Sequence, residues 1–394
     1  MEVGPRQASI GFVSTYPPTV CGLATFTASL IDGIARDRGS RSGLEVVSLT
    51  DGHLTTRPQG VVSGHRVGDG PSLDAATRIL NSYDAVSIQH EFGIFAGPDG
   101  DEVMRLVAGL TVPLAVTFHT VLEFPTAHQR HIVDGLAREA DRIVVMSETA
   151  SGRLIRCYGI DPGHIEVIPH GVDALLAAPS LVSGERPLVL TWGLIGPGKG
   201  LESAIEAFGW LTDLDPAPRY LIAGSTHPNV RAVSGESYRE GLISLVNHLG
   251  LDDIVEFEDR YFDRPTLARM VRSADLVVLP YESVEQVTSG VLVEAIAAAK
   301  PVVATRFPHA VELLAGGAGV TVPHDEPGAL GAAVRDLLTD RQKMTGMGRV
   351  ARSLADGWYW PTIGRRFSTM VSALVDADRA HGQQPTLEVR RVAG

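Results

Sequence analysis

Twelve short apolar runs rich in β-branched residues, each bounded by turn residues, recur along the 394-residue chain. In its first part they are ASIGFVS from Ala8, LEVVSLT from Leu44, DAVSIQH from Asp84, PLAVTFHT from Pro113, DRIVVMS from Asp141 and HIEVIPH from His164. Runs so uniformly apolar read as strands buried on both faces. Between several of them lie segments such as CGLATFTASLIDGIA from Cys21 and SETASGRLIRCYG from Ser147, whose apolar residues fall three or four apart, as in a helix with one stripe on a core. This alternation predicts α/β structure, with parallel sheets covered by helices. The rhythm pauses from Val172 to Pro187 and restarts with LVLTWG, RYLIAG, DIVEFED, DLVVLPY, PVVAT and GVTVP. Six candidate strands on each side of the pause predict two doubly wound domains, residues 1–175 and 187–360, facing each other across a cleft. Trp358 to Pro361 interrupt the final helical pattern, so segment 363–378 is expected to cross back and complete the first domain, leaving 379–394 as a flexible tail.

A chain of this length exceeds one ordinary core, which agrees with two domains. Its formal net charge of −12 opposes an electrostatic grip on nucleic acid or anionic lipid, since such binding draws on clustered Lys and Arg. No apolar run reaches the ~20 residues that span a bilayer, and the opening MEVGPRQASIGFVS lacks the basic-then-apolar order of a secretory signal. The expectation is a cytoplasmic protein without stable membrane insertion. Cys21 and Cys157, the only cysteines, are too few for a disulfide framework and are expected to be reduced.

Ligands of open parallel sheets bind beyond the carboxyl ends of the strands, so the polar residues found there are the first candidates for chemistry. In the first part these are Tyr16, His90, His119 and His170. The three histidines are candidates for acid/base groups, hydrogen-bond donors or metal ligands, or for histidines satisfied by nearby backbone. No His or carboxylate pair there shows the i, i+3 or i, i+4 spacing of a metal site, so none is predicted. In the loop YPPTVCGLATF, Gly22 stands near a helix start, where a missing side chain permits close approach to an anion or simply serves a turn.

The second part opens with LTWGLIGPGKGLESAIEAF, a strand, a glycine-rich loop, Lys199 and a helix. Free backbone N–H groups and one ammonium suit a diphosphate. Gly193, Gly198 and Lys199 also fit the first seven positions of the nucleotide-binding P-loop, but the eighth, a magnesium-ligating Ser or Thr, is Gly200. In PYESVEQVTSGVLVEAIAAAKPVVAT, Pro280 to Thr305, a buried strand leads to Thr288 or Ser289 as N-cap of a helix. Gly290, Val291 and Leu292 would offer unpaired N–H groups to an anion, with the positive end of the helix dipole behind them. Glu294, just over one turn in, is placed to accept hydrogen bonds from a ribose.

Together the glycine loop at Gly22, FHT with His119, VVMSE ending at Glu148, IPHGVD from Ile168, GPGKG and SGVLVEAIAAAKPVVAT resemble family 4 of the glycosyltransferases. The resemblance implies the GT-B architecture of two Rossmann-like domains. It also implies a retaining, metal-independent hexosyltransferase without a cofactor, whose substrates are a nucleotide-sugar, with GDP-mannose or UDP-glucose favoured, and a sugar or other small hydroxyl acceptor. Carried over, Lys199 contacts the donor phosphates beside Gly193, Ser289 and the Gly290 to Leu292 helix start, Glu294 holds the ribose, and Gly22 lies by the diphosphate. His119 approaches the transferred sugar, while His90 and His170 fall on the acceptor side.

Two positions depart from that family's pattern. The family's paired glutamates are Gln286 and Glu294 here, and an amide at 286 still bonds sugar hydroxyls but removes a carboxylate, with Glu285 one residue away. Leu194 stands where an arginine commonly assists the lysine, and Arg260 is the expected replacement cation. Catalysis therefore falls to His119, Lys199 and Gln286, and the rival readings are an epimerase or phosphorylase of the same fold, or a non-catalytic nucleotide-sugar binder.

Overall fold

The computed structural model describes residues 7–52, 57–180 and 184–382 and contains two parallel sheets. The first holds β1 (Ile10–Ser14), β2 (Leu44–Thr50), β3 (Val61–Arg66), β4 (Ala85–His90), β5 (Leu114–Phe118), β6 (Arg142–Val145) and β7 (Ile165–Val167), in the order β3-β2-β1-β4-β5-β6-β7. The second holds β8 (Leu188–Trp192), β9 (Arg219–Ala223), β10 (Val255–Glu258), β11 (Leu276–Leu279), β12 (Val302–Thr305) and β13 (Gly319–Val322), in the order β10-β9-β8-β11-β12-β13. Every residue of the central strands β1, β4, β5, β8, β11 and β12 is buried, which is why they read as unbroken apolar runs. Register is direct at both centres: Ile10 faces Leu44 and Ala85, and Val277 faces Leu190 and Val302.

The first sheet has one strand more than the six runs foretell. Strand β3, VVSGHR, sits at the sheet edge and buries only Val61 and His65, so it lacks the apolar signature. His65 is tolerated inside because Nδ1 meets Ser72 Oγ at 2.6 Å and Nε2 lies 3.3 Å from Glu102.

Strand order reverses between β1 and β4 in one sheet and between β8 and β11 in the other. Each reversal splits the flanking connections to opposite faces and opens a crevice at the carboxyl ends of the strands. The chain passes between the sheets twice, and the two passages are paired: Val172 N–H donates to Trp358 O at 2.9 Å and Trp360 N–H to Val172 O at 3.2 Å.

The last helix, Trp360–Gly382, lies on the first sheet's helix Gly22–Arg38. It is longer than the expected 363–378. Pro361 occupies its first turn, where a missing N–H is no loss, so the apparent interruption is a helix start. Residues 379–382, expected within the tail, are its final turn, and 383–394 lie outside the described residues. Ile363, Phe367, Val371 and Val375 share a core with Ile10, Phe12 and Ile31. Two glycines bring the helix backbones together: a Cβ on Gly33 would lie 2.3 Å from Trp360 O, and one on Gly364 would lie 2.4 Å from Gly33 C. Among the described residues no helix is long and apolar enough to cross a membrane.

Gly33→Ala is therefore expected to cost roughly 1–3 kcal/mol by forcing the helices apart. Gly241→Ala, at an exposed helical position with no atom within 4 Å, should leave stability unchanged or slightly raised. Urea denaturation midpoints of the two variants test the contrast, and equal midpoints would show that the helix contact does not need the glycine.

Candidate functional site

The two crevices face each other across a cavity of about 910 Å³ lined by both halves of the chain. The second sheet supplies one wall. After β8 the chain turns at Gly193 with φ +128°, and at Gly200, with φ +63°, it presses against the end of β11 so closely that a Cβ would lie 1.9 Å from Pro280 O. Glu282 N–H donates to Gly198 O at 3.1 Å, tying this loop to the one after β11. These constraints carry Lys199 into the cleft. Its ammonium lies 4.4 Å from the centre of the Tyr281 ring and has no carboxylate partner among the described residues, and burial lowers its pKa. A half-buried cation with only an aromatic face for company is complementary to an anion.

The helix Gly290–Ala297 points its N-terminus at the same space. Ser289 is the cap, its Oγ accepting from Leu292 N–H at 3.2 Å, while Ser289 N–H donates to Nδ1 of the buried His309 at 2.8 Å. Leu292 is therefore not an anion donor as expected: its N–H is taken by the cap, and its side chain is buried away from the cleft. The N–H groups of Gly290 and Val291, both at the cleft wall, have no acceptor among the described residues. His309 N–H also donates to Gln286 O at 3.2 Å, and Gln286 Nε2–H to Thr288 O at 3.2 Å, so one histidine outside the expected set fixes the whole 286–289 loop.

Glu294 lines the cleft floor and accepts from Trp192 Nε1–H at 3.2 Å. Burial raises its carboxyl pKa to about 7, and the Trp192 bond only partly opposes this. The expected replacement cation, Arg260, lines the cleft but has a 56% exposed side chain held by Glu258 at 2.6 Å over the Phe262 ring. Arg264, which sequence reasoning passed over inside a helix start, lies nearer Glu294 and bonds Ser29 Oγ at 2.6 Å from across the cleft. Leu194 contributes only apolar surface.

The first sheet supplies the opposite wall. Gly22 opens its helix at the cleft with no atom within 4 Å of where a Cβ would stand, and Cys21 caps the helix with Sγ accepting from Ala24 N–H at 3.3 Å. His119 Nε2 is 2.9 Å from Gln89 Oε1; the Gln89 amide nitrogen faces Ser87 and Thr117 hydroxyls, so the histidine donates and keeps its lone pair on Nδ1. His170 Nδ1 donates to Gly171 O at 2.7 Å, leaving its lone pair on Nε2. That Nε2 lies 2.9 Å from where a Cβ on Gly290 would stand, so the glycine lets this ring approach the facing helix. Burial pushes the two imidazoles down to about 3 and about 4, so both are uncharged.

His90 does not reach the acceptor side. It is 0% exposed between Phe92 and Phe118, both ring nitrogens lack a hydrogen-bond partner among the described residues, and it does not line the cleft. The last residue of a fully buried strand alternates inward, and the next one, Glu91, lines the cleft instead. Glu91 accepts from Thr120 Oγ1 at 2.6 Å and from Phe92 N–H at 3.0 Å, and burial raises its pKa. The signal for it was present in the sequence as a second polar residue after the strand end.

Glu285 is spent elsewhere too. The side chain of Arg153, 3% exposed on the helix Glu148–Tyr158, donates to Glu285 Oε2 at 2.5 Å, Val121 O at 2.8 Å, Glu285 O at 3.2 Å and Glu123 Oε2 at 3.2 Å. One guanidinium thus joins the loop after His119 to the loop before Gln286. Nearby, Glu312 of the second half accepts from the N–H groups of Glu148 and Thr149 at 3.0 and 2.8 Å, placing a carboxylate at that helix's positive end. Among the described residues no group of three or more His, Cys, Asp or Glu side chains is arranged to hold a metal ion.

Residues 22–174 match the family model described as Glycosyltransferase Family 4, and residues 172–354 match that of Glycosyl transferases group 1. A D-inositol 3-phosphate glycosyltransferase from Segniliparus rotundus is 30% identical over 274 residues, 64% of this chain and 59% of that protein. One of the same name from Kineococcus radiotolerans is 29% identical over 286 residues, 63% of each chain. The chain thus spans about three fifths of the length of these curated relatives. Among solved structures, Anabaena HepE in complex with UDP has a TM-score of 0.73 at 20% identity, covering 93% of this chain and 100% of that one. A sucrose-phosphate synthase from Thermosynechococcus elongatus has a TM-score of 0.74 at 18% identity, covering 94% and 100%.

Two outcomes follow from this geometry. With a native pKa of about 7 against an ordinary 4.5, the Glu294 carboxyl favours the fold fully below the lower value, and that contribution is lost as pH rises through the higher. Thermal midpoints of Glu294→Gln relative to the parent protein should therefore improve from about pH 5 to about pH 8, and an offset independent of pH would refute the assignment. Arg153→Met removes the buried donor to the Glu285 and Glu123 carboxylates and to the Val121, Val284 and Glu285 carbonyls, and should cost roughly 2–4 kcal/mol in denaturant. Arg105→Met, which breaks the exposed bonds to Asp74 and the Gly70 carbonyl, should cost under about 1 kcal/mol.

Proposed function

The chain belongs to the family 4 glycosyltransferases of the GT-B fold, and on that premise we propose that it moves a hexose from a nucleoside-diphosphate sugar to an acceptor hydroxyl with retention of anomeric configuration. The observation that carries this reading is that the Lys199 ammonium and the unpaired Gly290 and Val291 N–H groups line one cleft together with the uncharged His119. The diphosphate lies at the helix tip, where those three donors meet it. Glu294, one turn further on, accepts from the ribose hydroxyls, and Gln286 addresses the sugar with its amide.

The bond from the anomeric carbon to the diphosphate oxygen breaks as charge builds on that oxygen, and Lys199, the two amides and Arg264 stabilise it. The acceptor hydroxyl attacks from the face the diphosphate leaves, its oxygen bonds the anomeric carbon, and its proton passes to a diphosphate oxygen. His119 cannot serve as the acid, because its ring is neutral with Nε2–H committed to Gln89; its remaining lone pair accepts from a sugar hydroxyl. The cross-cleft bonds of Arg153 to Glu285 and of Arg264 to Ser29 hold the two walls close enough to exclude water during transfer.

GDP-mannose and UDP-glucose are the leading donors, with the uridine case supported by the UDP bound to the similar Anabaena protein. A thermal-shift screen of nucleotide-sugars separates them, because a ligand specific to the native state raises its midpoint in proportion to affinity and concentration. Lys199→Ala should lower turnover on the order of 10²-fold, measured as nucleotide released from the donor identified in that screen. Near-normal turnover would remove Lys199 from the mechanism. A rearranged sugar released from donor alone would identify an epimerase, and tight donor binding without release to any acceptor would identify a non-catalytic binder.

A further inference from the structure

Apart from the Gly22 helix start, whose N–H groups the family resemblance places by the donor diphosphate, the wall opposite the diphosphate site presents side chains that accept hydrogen bonds. Glu91 presents a carboxylate there, His119 and His170 have spent their ring protons on Gln89 and Gly171 and retain only lone pairs, and Ser29 Oγ already accepts from Arg264. Such groups are complementary to O–H donors. Among the described residues, the Lys and Arg side chains lining the cleft are Lys199, Arg260 and Arg264, and all three come from the second half of the chain. Arg264 touches the first wall but is bonded to Ser29 Oγ at 2.6 Å, and Arg153 behind the cleft is buried and committed to Glu285, Glu123 and Val121. The imidazoles are uncharged, so they do not replace it.

Resting on the transferase reading above, we propose that the acceptor is an uncharged polyol or sugar, and that phosphorylated acceptors are rejected. A phosphate monoester carries a charge of roughly −1.5 to −2 near neutral pH and offers almost nothing but acceptor oxygens. Seating it requires Arg or Lys donors, bidentate where possible. On this wall it would meet the Glu91 carboxylate and two lone pairs instead, and like charges brought together inside a cleft of low polarity are strongly unfavourable. An uncharged polyol supplies its hydroxyl protons to the same three groups and keeps one hydroxyl for the anomeric carbon. Phe26, which lines the cleft and contacts both His119 and His170, adds an apolar surface beside them. Selection against phosphate thus comes from the wall itself and does not depend on the identity of the donor.

The test uses the full-length protein with its donor and matched pairs of acceptors, each a polyol or sugar and its phosphate monoester, including inositol and inositol 3-phosphate. Nucleotide release above the rate with donor alone is the readout. The uncharged member of a pair should exceed its ester by roughly 10-fold or more in kcat/KM. A preference for the esters overturns the proposal, and so does a panel in which no uncharged member raises release above the donor-alone rate. Absence of any nucleotide-sugar binding in the thermal-shift screen would instead count against the transferase reading. Leu122→Arg supplies the missing cation on this wall and should move the ester-to-polyol ratio by roughly 10-fold toward the ester in folded protein. An unmoved ratio, with the thermal midpoint retained, shows that charge on this wall does not select the acceptor.

Discussion

Parallel strands all point the same way, so the connections that follow them gather on one edge of the sheet. Nearly everything about this protein depends on that constraint being met twice. At the reversal between β1 and β4 the gathered loops carry Gly22, Glu91 and His119; at that between β8 and β11 they carry Gly193, Lys199 and the Ser289 cap. Setting one edge against the other yields a cleft whose two walls differ in their side chains: the Lys199 ammonium on one, imidazole lone pairs and the Glu91 carboxyl on the other.

Each wall is held in its unusual state by burial. Water would neutralise the difference by solvating Lys199, ionising Glu294 and protonating the histidines. Enclosure does the reverse: the Lys199 ammonium faces an aromatic ring, the Glu294 carboxyl titrates near 7, and His119 and His170 stay neutral. These shifts all disfavour charge that a ligand does not complement, so the cleft is arranged for a particular distribution of charge.

The enclosure depends on contacts that cross between the halves, several of them polar, beside Val287, which is buried among apolar residues of the first half. Arg153 spans from one half to the Glu285 loop, Glu312 caps a helix of the other half, and Arg264 reaches Ser29. Each of these ties joins a group of one half to a group of the other and holds the two walls of the cleft together. The paired passages at Val172 and Trp358 to Trp360, with the close approach of Gly33 to Trp360, join the halves again where the chain passes between the sheets.

Sequence alone determined the α/β class, twelve of the thirteen strands, the glycine loops, and the grouping of Lys199, Gly290 and Glu294 at the ends of strands. Those properties are local: apolar runs mark buried strands, and helix starts and glycine turns carry their own residue signatures. Strand β3 escaped because an edge strand with a polar face has no such signature. Only the tertiary structure decided which way a side chain at a strand end turns, so His90 went into the core and Glu91 into the cleft. It also decided which polar groups were already occupied. Leu292 N–H is taken by Ser289, Arg260 by Glu258 and Glu285 by Arg153, leaving Lys199, Gly290 and Val291 free to act. A sequence names donors and acceptors, but whether each still has a bond to give depends on neighbours that are distant along the chain and adjacent only in space.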